Sequence, residues 1–204
     1  MPGDLETRAG RFAEHRGRPE HDVRADHGGH EVQQVGVGRE IEELPRDLGA
    51  ARAVPGNVRQ GDEIIYIERA YSERSGMQVV RAIGGRAPLH LTSVGKLFLA
   101  AEDAPRLRAY ATRTGLAGHT RNSITQLPVL ERELSKARQY GVARDNEELE
   151  LGVRCMAAGI YDDQSRLVAG LSISAPADRL DEEWLPKLQD TARKISTALG
   201  YRDA

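Results

Sequence analysis

Val153-Arg-Cys-Met-Ala-Ala-Gly-Ile-Tyr161, then Asp162-Asp-Gln-Ser-Arg166, then Leu167-Val-Ala-Gly-Leu-Ser-Ile-Ser-Ala175 is the stretch whose reading decides the fold. Two largely apolar runs flank a short polar turn segment, which is the pattern of a β-hairpin. Side chains alternate between the faces of a strand. In the second run Leu171 and Ile173 therefore share one face, and Ser172 and Ser174 share the other. A hydroxyl face on a core strand needs an explanation. Either a helix caps those hydroxyls, or they line a polar cavity.

The same logic extends outward. Glu63-Ile-Ile-Tyr-Ile-Glu-Arg69 is rich in β-branched residues and reads as a strand. Turn chemistry at Ser72–Gly76 makes Met77–Ile83 its antiparallel partner, and Gly84-Gly85 ends it. Three helices are predicted between the two hairpins. Thr92 and Ser93 are good N-caps for Val94–Ala101, with Leu97, Phe98 and Ala101 inward. Asp103-Ala-Pro105 opens a second helix that ends near Gly115. Leu127, Leu130, Leu134 and Ala137 recur at helical spacing in a third, which stops at Gly141. A last helix carries Trp184, Leu185, Leu188, Ala192, Ile195 and Leu199 on one face and ends at Gly200. Strands arrive as hairpins rather than alternating with helices, so an α+β fold with an antiparallel sheet is expected.

The chain has 204 residues with formal net charge −2. That length allows one domain, or one with a small companion, and a core that needs no metal or disulfide staple. The charge balance excludes a chain-wide basic surface of the kind that binds nucleic acid by charge alone. The single Cys excludes an intrachain disulfide and fits a reducing compartment. No apolar run approaches the length of a membrane span, and no signal-peptide pattern opens the chain, so a cytoplasmic protein is expected.

Composition changes along the chain. Residues 1–60 hold four of the six His, nine Arg and no Lys, with Phe12 as their one aromatic. A segment so poor in large apolar residues offsets little of its ordering entropy. It is predicted to be largely irregular, with one helix near residues 40–48 (Ile41, Leu44, Leu48) limited by Pro45 and Gly49. Ala51-Arg-Ala-Val-Pro-Gly-Asn57 is a poor strand. The domain expected from these patterns covers residues 61–204.

Several residues carry chemical potential. Cys155 is the only thiol; as a nucleophile it would need a base such as His90 or His119, and no motif links them. Its ordinary role is a small buried apolar residue. His21, His27 and His30 match no metal-ligand spacing. Neither a metal nor a cofactor is expected. Asp145 with Glu147, Glu148 and Glu150 is an acidic run that reads as a solvated loop. Leu91-Thr-Ser-Val-Gly-Lys96 places small residues at a helix start, where free N–H groups and the helix dipole favour an anion such as a carboxylate. A plain N-cap is the alternative there.

Three motifs in order resemble the IclR-type transcriptional regulators: Arg86-Ala-Pro-Leu-His-Leu-Thr-Ser-Val-Gly-Lys-Leu-Phe-Leu-Ala100, Tyr140-Gly-Val-Ala-Arg-Asp-Asn-Glu-Glu-Leu-Glu-Leu-Gly-Val-Arg-Cys-Met-Ala-Ala158, and Leu171-Ser-Ile-Ser-Ala-Pro176 with the helix ending Ala198-Leu-Gly200. The resemblance covers about residues 61–204. It implies the family's effector-binding domain, a curved antiparallel sheet with packed helices related to GAF and profilin-like folds. It implies a pocket for a small organic acid or aromatic metabolite, lined by Ser93, Val94, Asp145, Val153, Cys155, Ser172 and Ser174. It also implies a dimer or tetramer and no catalytic residue.

The family places a winged helix-turn-helix ahead of that domain. Residues 1–60 show no such pattern. Their Arg-, Gly-, His- and Pro-heavy composition is that of a degraded segment or an out-of-frame reading of a GC-rich gene. Two functions compete on these grounds. One is a ligand-responsive transcriptional regulator. The other is a stand-alone small-molecule-binding and dimerisation module that does not bind DNA. An enzyme built on Cys155 is a distant third.

Overall fold

A computed structural model describes residues 52–67 and 83–202. Among these residues six strands form one sheet. They are β1 (Arg52–Gln60), β2 (Glu63–Tyr66), β3 (Arg86–Pro88), β4 (Val142–Asn146), β5 (Val153–Tyr161) and β6 (Leu167–Pro176). The spatial order is β3-β2-β1-β6-β5-β4, and every neighbouring pair is antiparallel. The expected β5–β6 hairpin is present. Its turn is closed by Asp162, whose Oδ1 accepts the N–H groups of Gln164 and Arg166, while its Oδ2 accepts from the Arg166 guanidinium.

The reading of Ala51–Asn57 as a poor strand is overturned. Arg52–Gln60 is a nine-residue strand lying between β2 and β6 at the centre of the sheet. Pro55 and Gly56 make a bulge there, not a break. The register runs Pro55 opposite Leu171 and then Asn57 opposite Gly170, skipping Gly56. Gly56 takes φ 87°, which a side chain would resist. The irregular segment expected up to residue 60 therefore gives way to a strand over its last nine residues. The helix expected near residues 40–48, the turn at Ser72–Gly76 and the partner strand Met77–Ile83, apart from Ile83 itself, lie outside the described residues. Ile83 sits in a turn, and the described neighbours of β2 are β1 and β3.

Among the described residues four α-helices fall where the periodicity places them: α1 (Ser93–Ala100), α2 (Ala104–Thr114), α3 (Leu127–Tyr140) and α4 (Leu185–Ala198). The Thr92 hydroxyl accepts the Gly95 N–H at 3.1 Å, and the Asp103 carboxylate accepts the Arg106 N–H at 2.8 Å. Each satisfies a donor that the first turn leaves over.

The sheet separates two apolar clusters. On one face α4 packs Leu188, Ala192 and Ile195 against Met156, Ala158, Ile160, Leu171 and Ile173. On the other face α1, backed by α2 and α3, packs Val94, Leu97, Phe98 and Leu99 with Leu107, Leu130, Leu134, Ala143 and Ala157. Each fully buried large aliphatic of this kind contributes about 1.5–3 kcal/mol. Every residue of α1 is buried, whereas Ala101, expected inward, is the exposed C-cap. The sheet residues beneath α1 are small. A Cβ on Gly170 would stand 2.5 Å from Val94 Cγ1, so a bare backbone at residue 170 is what lets the first turn of α1 sit directly on β6.

Candidate functional site

That close approach makes a cleft. The start of α1 and the α1-facing sides of β1, β2, β4, β5 and β6 line a small cleft of about 30 Å³ that is partly open to solvent. Six of the seven residues anticipated from the sequence line it: Ser93, Val94, Asp145, Cys155, Ser172 and Ser174. Val153 is not brought in. It opens β5 opposite Pro176, beyond the Cys155–Ser174 pair that borders the cleft. Asn57, Ile64, Tyr66, Thr92 and Leu149 also line the cleft and were not anticipated. Asn57 escaped notice because Pro55-Gly56 reads as a strand breaker. The usable signal was Gly inside a strand pattern, which often marks a bulge.

The two serines line the cavity rather than meeting a helix cap. Ser172 Oγ accepts a hydrogen bond from Asn57 Nδ2 at 3.3 Å. Ser174 Oγ lies 3.0 Å from Cys155 Sγ. Asn57 is 1% exposed, and its Oδ1 is buried without a partner among the described residues. At the helix start the N-cap reading holds for Gly95, whose N–H is taken by Thr92. Ser93 and Val94 line the cleft and precede Lys96, whose N–H donates to the Thr92 carbonyl as the first intrahelical bond, so their own N–H groups have no acceptor within the helix.

Asp145 and Glu148 correct the reading of the acidic run as a solvated loop. They are only 2% and 4% exposed. The loop after β4 turns through Glu147 at φ 63°. The hydroxyls of Thr120 and Ser123 donate to the carbonyls of Glu147 and Glu148, each at 2.7 Å. This turns the Glu148 side chain inward onto Lys96. Lys96, fully buried in α1, donates from Nζ to Glu148 Oε1 at 2.5 Å and to the Arg144 carbonyl at 2.7 Å. Glu148 Oε2 has no partner among the described residues. Burial raises the Glu148 pKa, with Lys96 opposing the rise. The Glu148 N–H donates to Asp145 Oδ1 at 2.7 Å. Burial pushes the Asp145 carboxyl up to about 7, against the pull of that N–H.

Cys155 is poorly placed for nucleophilic chemistry. Burial pushes its thiol well above the usual range, and its neighbours are Ser174 and Asp145. His90 is engaged elsewhere, with Nδ1 2.7 Å from the Tyr110 hydroxyl and Nε2 3.1 Å from the Ala117 carbonyl. Burial depresses its pKa. Among the described residues no histidine lines the cleft. The candidate metal ligands His21, His27 and His30 lie outside the described residues.

The antiparallel sheet thus carries a helix start, two strand serines and a buried carboxyl around one small cleft. The profile of the bacterial transcriptional regulator IclR C-terminal domain matches residues 37–197, and the chain belongs to the IclR family. That match begins upstream of residue 61. The HTH-type transcriptional repressor AllR of Klebsiella pneumoniae is 38% identical over 149 residues, which are 71% of this chain and 54% of that protein. AllR of Escherichia coli K12 is 36% identical over the same length. The chain thus spans about half the length of the curated relatives it matches. Among solved structures, the Thermotoga maritima IclR is similar at TM-score 0.71 and 31% identity, covering 82% of this chain and 70% of that one. The Agobacterium tumefaciens repressor BlcR gives TM-score 0.73 at 27% identity, covering 83% and 69%. A double mutant of the PobR inducer-binding domain from Acinetobacter, in complex with 3-hydroxybenzoic acid, gives 0.63 at 25%, covering 72% and 86%. No helix among the described residues is long and apolar enough to cross a membrane.

Proposed function

We propose that this chain acts as the sensing part of a ligand-responsive transcriptional regulator and takes a small organic acid, aliphatic or aromatic, into the cleft at the start of α1. The observation that carries this reading is the convergence of Ser93 and Val94 with Ser172 and Ser174 on one cleft. A hydrogen bond to a charged group gives about 1.5–3 kcal/mol. Several of these, less the cost of association, give about 4–8 kcal/mol and micromolar-to-millimolar affinity, a range suited to a metabolite sensor. In this reading the cleft binds and releases its ligand without turnover, the chain works as a homo-oligomer in the cytoplasm, and the output is altered DNA binding. The repressor names of the AllR relatives and the acid bound to PobR support it.

Titration calorimetry of the chain against a panel of short and aromatic carboxylic acids tests the first half. The Ser172→Ala, Ser174→Ala double variant is expected to weaken a bound acid by about 1–3 kcal/mol with the fold intact. Unchanged affinity would remove the serines from the site. Fluorescence anisotropy against DNA upstream of the gene, at two salt concentrations, tests the second half. Specific binding that weakens steeply with salt supports the regulator. Acid binding without DNA binding favours the stand-alone module.

A further inference from the structure

Asn57 stands apart from the other polar groups of the cleft. It comes from β1, is 1% exposed, and spends one amide hydrogen on Ser172 Oγ. Its Oδ1 is buried with no partner among the described residues. A buried acceptor left unsatisfied is costly, and native structures rarely retain one without use for it. The other polar groups lining the cleft include the Asp145 carboxyl, which already accepts the Glu148 N–H, and several donors. The N–H groups of Ser93 and Val94 are donors suited to a carboxylate, and the Ser172 hydroxyl, already accepting from Asn57, has its proton to give. Around the cleft stand several donors and, buried in its wall, one acceptor with no partner among the described residues, between apolar walls supplied by Ile64 and Leu149.

We infer that Asn57 is a specificity-determining residue that selects effectors carrying a hydroxyl beside their carboxylate, with the hydroxyl donating to Asn57 Oδ1. This rests on the reading that the cleft holds an acid effector. A hydroxyl is the group that suits the site best. If the amide is turned over, the idle end becomes Nδ2, and a hydroxyl satisfies that end as well because it both donates and accepts. A site built around a buried polar group discriminates strongly against an analogue that leaves the group unpaired.

The test uses matched pairs of acids that differ by one hydroxyl: glycolate against acetate, lactate against propionate, 3-hydroxybenzoate against benzoate. Titration calorimetry on the 204-residue chain is expected to show at least one pair in which the hydroxy acid binds about tenfold tighter or more. Asn57→Ala is expected to bring that ratio to about one, with any loss from the freed Ser172 hydroxyl falling equally on both members of the pair. If both members of every binding pair bind equally to the unaltered chain, the inference is wrong while the acid-sensor reading stands. If Asn57→Ala keeps the ratio, another residue reads the hydroxyl and the inference again falls. If no acid of any pair binds, the sensor reading and the inference fall together. Should Asn57→Ala not fold, the ratio on the unaltered chain, compared with that of Ser172→Ala, decides. Ser172→Ala is expected to weaken both members of a pair and leave the preference for the hydroxy acid in place.

Discussion

Lys96→Met should expose how much of this domain rests on one buried ion pair. Lys96 is fully buried and Glu148 is 4% exposed, so neither charge is solvated by water. Removing the ammonium leaves Glu148 Oε1 with only the Asn146 N–H at 3.5 Å, while Oε2 already lacks a partner. The Arg144 carbonyl also loses its donor. Breaking a buried pair from one side typically costs about 3–5 kcal/mol. For a domain of this size, about 2–4 °C per kcal/mol converts that to a Tm drop of about 6–20 °C at pH 7.5. The pH dependence follows from linkage. Burial already raises the Glu148 pKa, and losing Lys96 raises it further. Between the unfolded value, about 4.3, and the folded one, the folded state binds more protons, so stability falls as pH rises through that window. The deficit of Lys96→Met should therefore shrink at pH 5. Thermal melts by circular dichroism at pH 5 and 7.5 read both effects. Lys96→Met with Glu148→Gln removes both charges and should recover most of the loss. A drop under about 2 °C at pH 7.5, or one that is equal at both pH values, would refute the reasoning.

Two further outcomes are expected. Asp145 titrates at about 7 when folded and at about 4 when unfolded. The folded protein should thus lose up to about 4 kcal/mol as pH climbs from 4 to 7, and Asp145→Asn should flatten that slope and melt above the unaltered chain at pH 8. Equal slopes for both proteins in melts from pH 5 to 8 would count against the buried carboxyl. Gly170→Ala places a Cβ 2.5 Å from Val94 Cγ1 and should cost about 1–3 kcal/mol while weakening acid binding. Adding Val94→Ala should return most of the stability, and no change on either substitution would remove the close approach from the account of the cleft.

Much of the fold is legible in the sequence where local signals agree with the tertiary outcome. Helices α1, α2 and α3, together with the β5–β6 hairpin, were each bounded by caps, turn residues and apolar spacing, and their limits fall within a residue or two of expectation. Ser172 and Ser174 were recognisable as a polar face by alternation alone, and they do line the cleft. The sequence-based account failed where meaning depends on a distant neighbour. β1 reads as a broken strand because Pro55 and Gly56 are poor strand formers, yet pairing on both sides with β2 and β6 overrides that local preference. Glu148 sits in an acidic run, and nothing local distinguishes it from Glu147 or Glu150. Its burial depends on Lys96 lying 52 positions upstream in the chain. Val153 shares a strand face with Cys155, so sequence alone could not show that the cleft ends short of it.

The buried charges and the cleft belong to one arrangement. Lys96 lies in α1, the helix whose start borders the cleft. It is bonded to Glu148, and the Glu148 N–H is bonded to Asp145, which lines the cleft. An unbroken chain of polar contacts therefore ties the helix to the end of β4. Apolar packing alone is tolerant of small slides, because dispersion has no direction. A hydrogen-bonded ion pair in a dry interior is directional and is costly to distort. An all-apolar α1 would serve for burial. The retention of a lysine at its centre makes sense if the first turn must be held at a fixed height above β6, where bare backbone at Gly170 lets Val94 seat against the sheet. In that view the energy of Lys96 and Glu148 is spent on the position of two N–H groups, those of Ser93 and Val94, and a variant such as Lys96→Met paired with Glu148→Gln could regain stability while still binding acids less well than the unaltered chain.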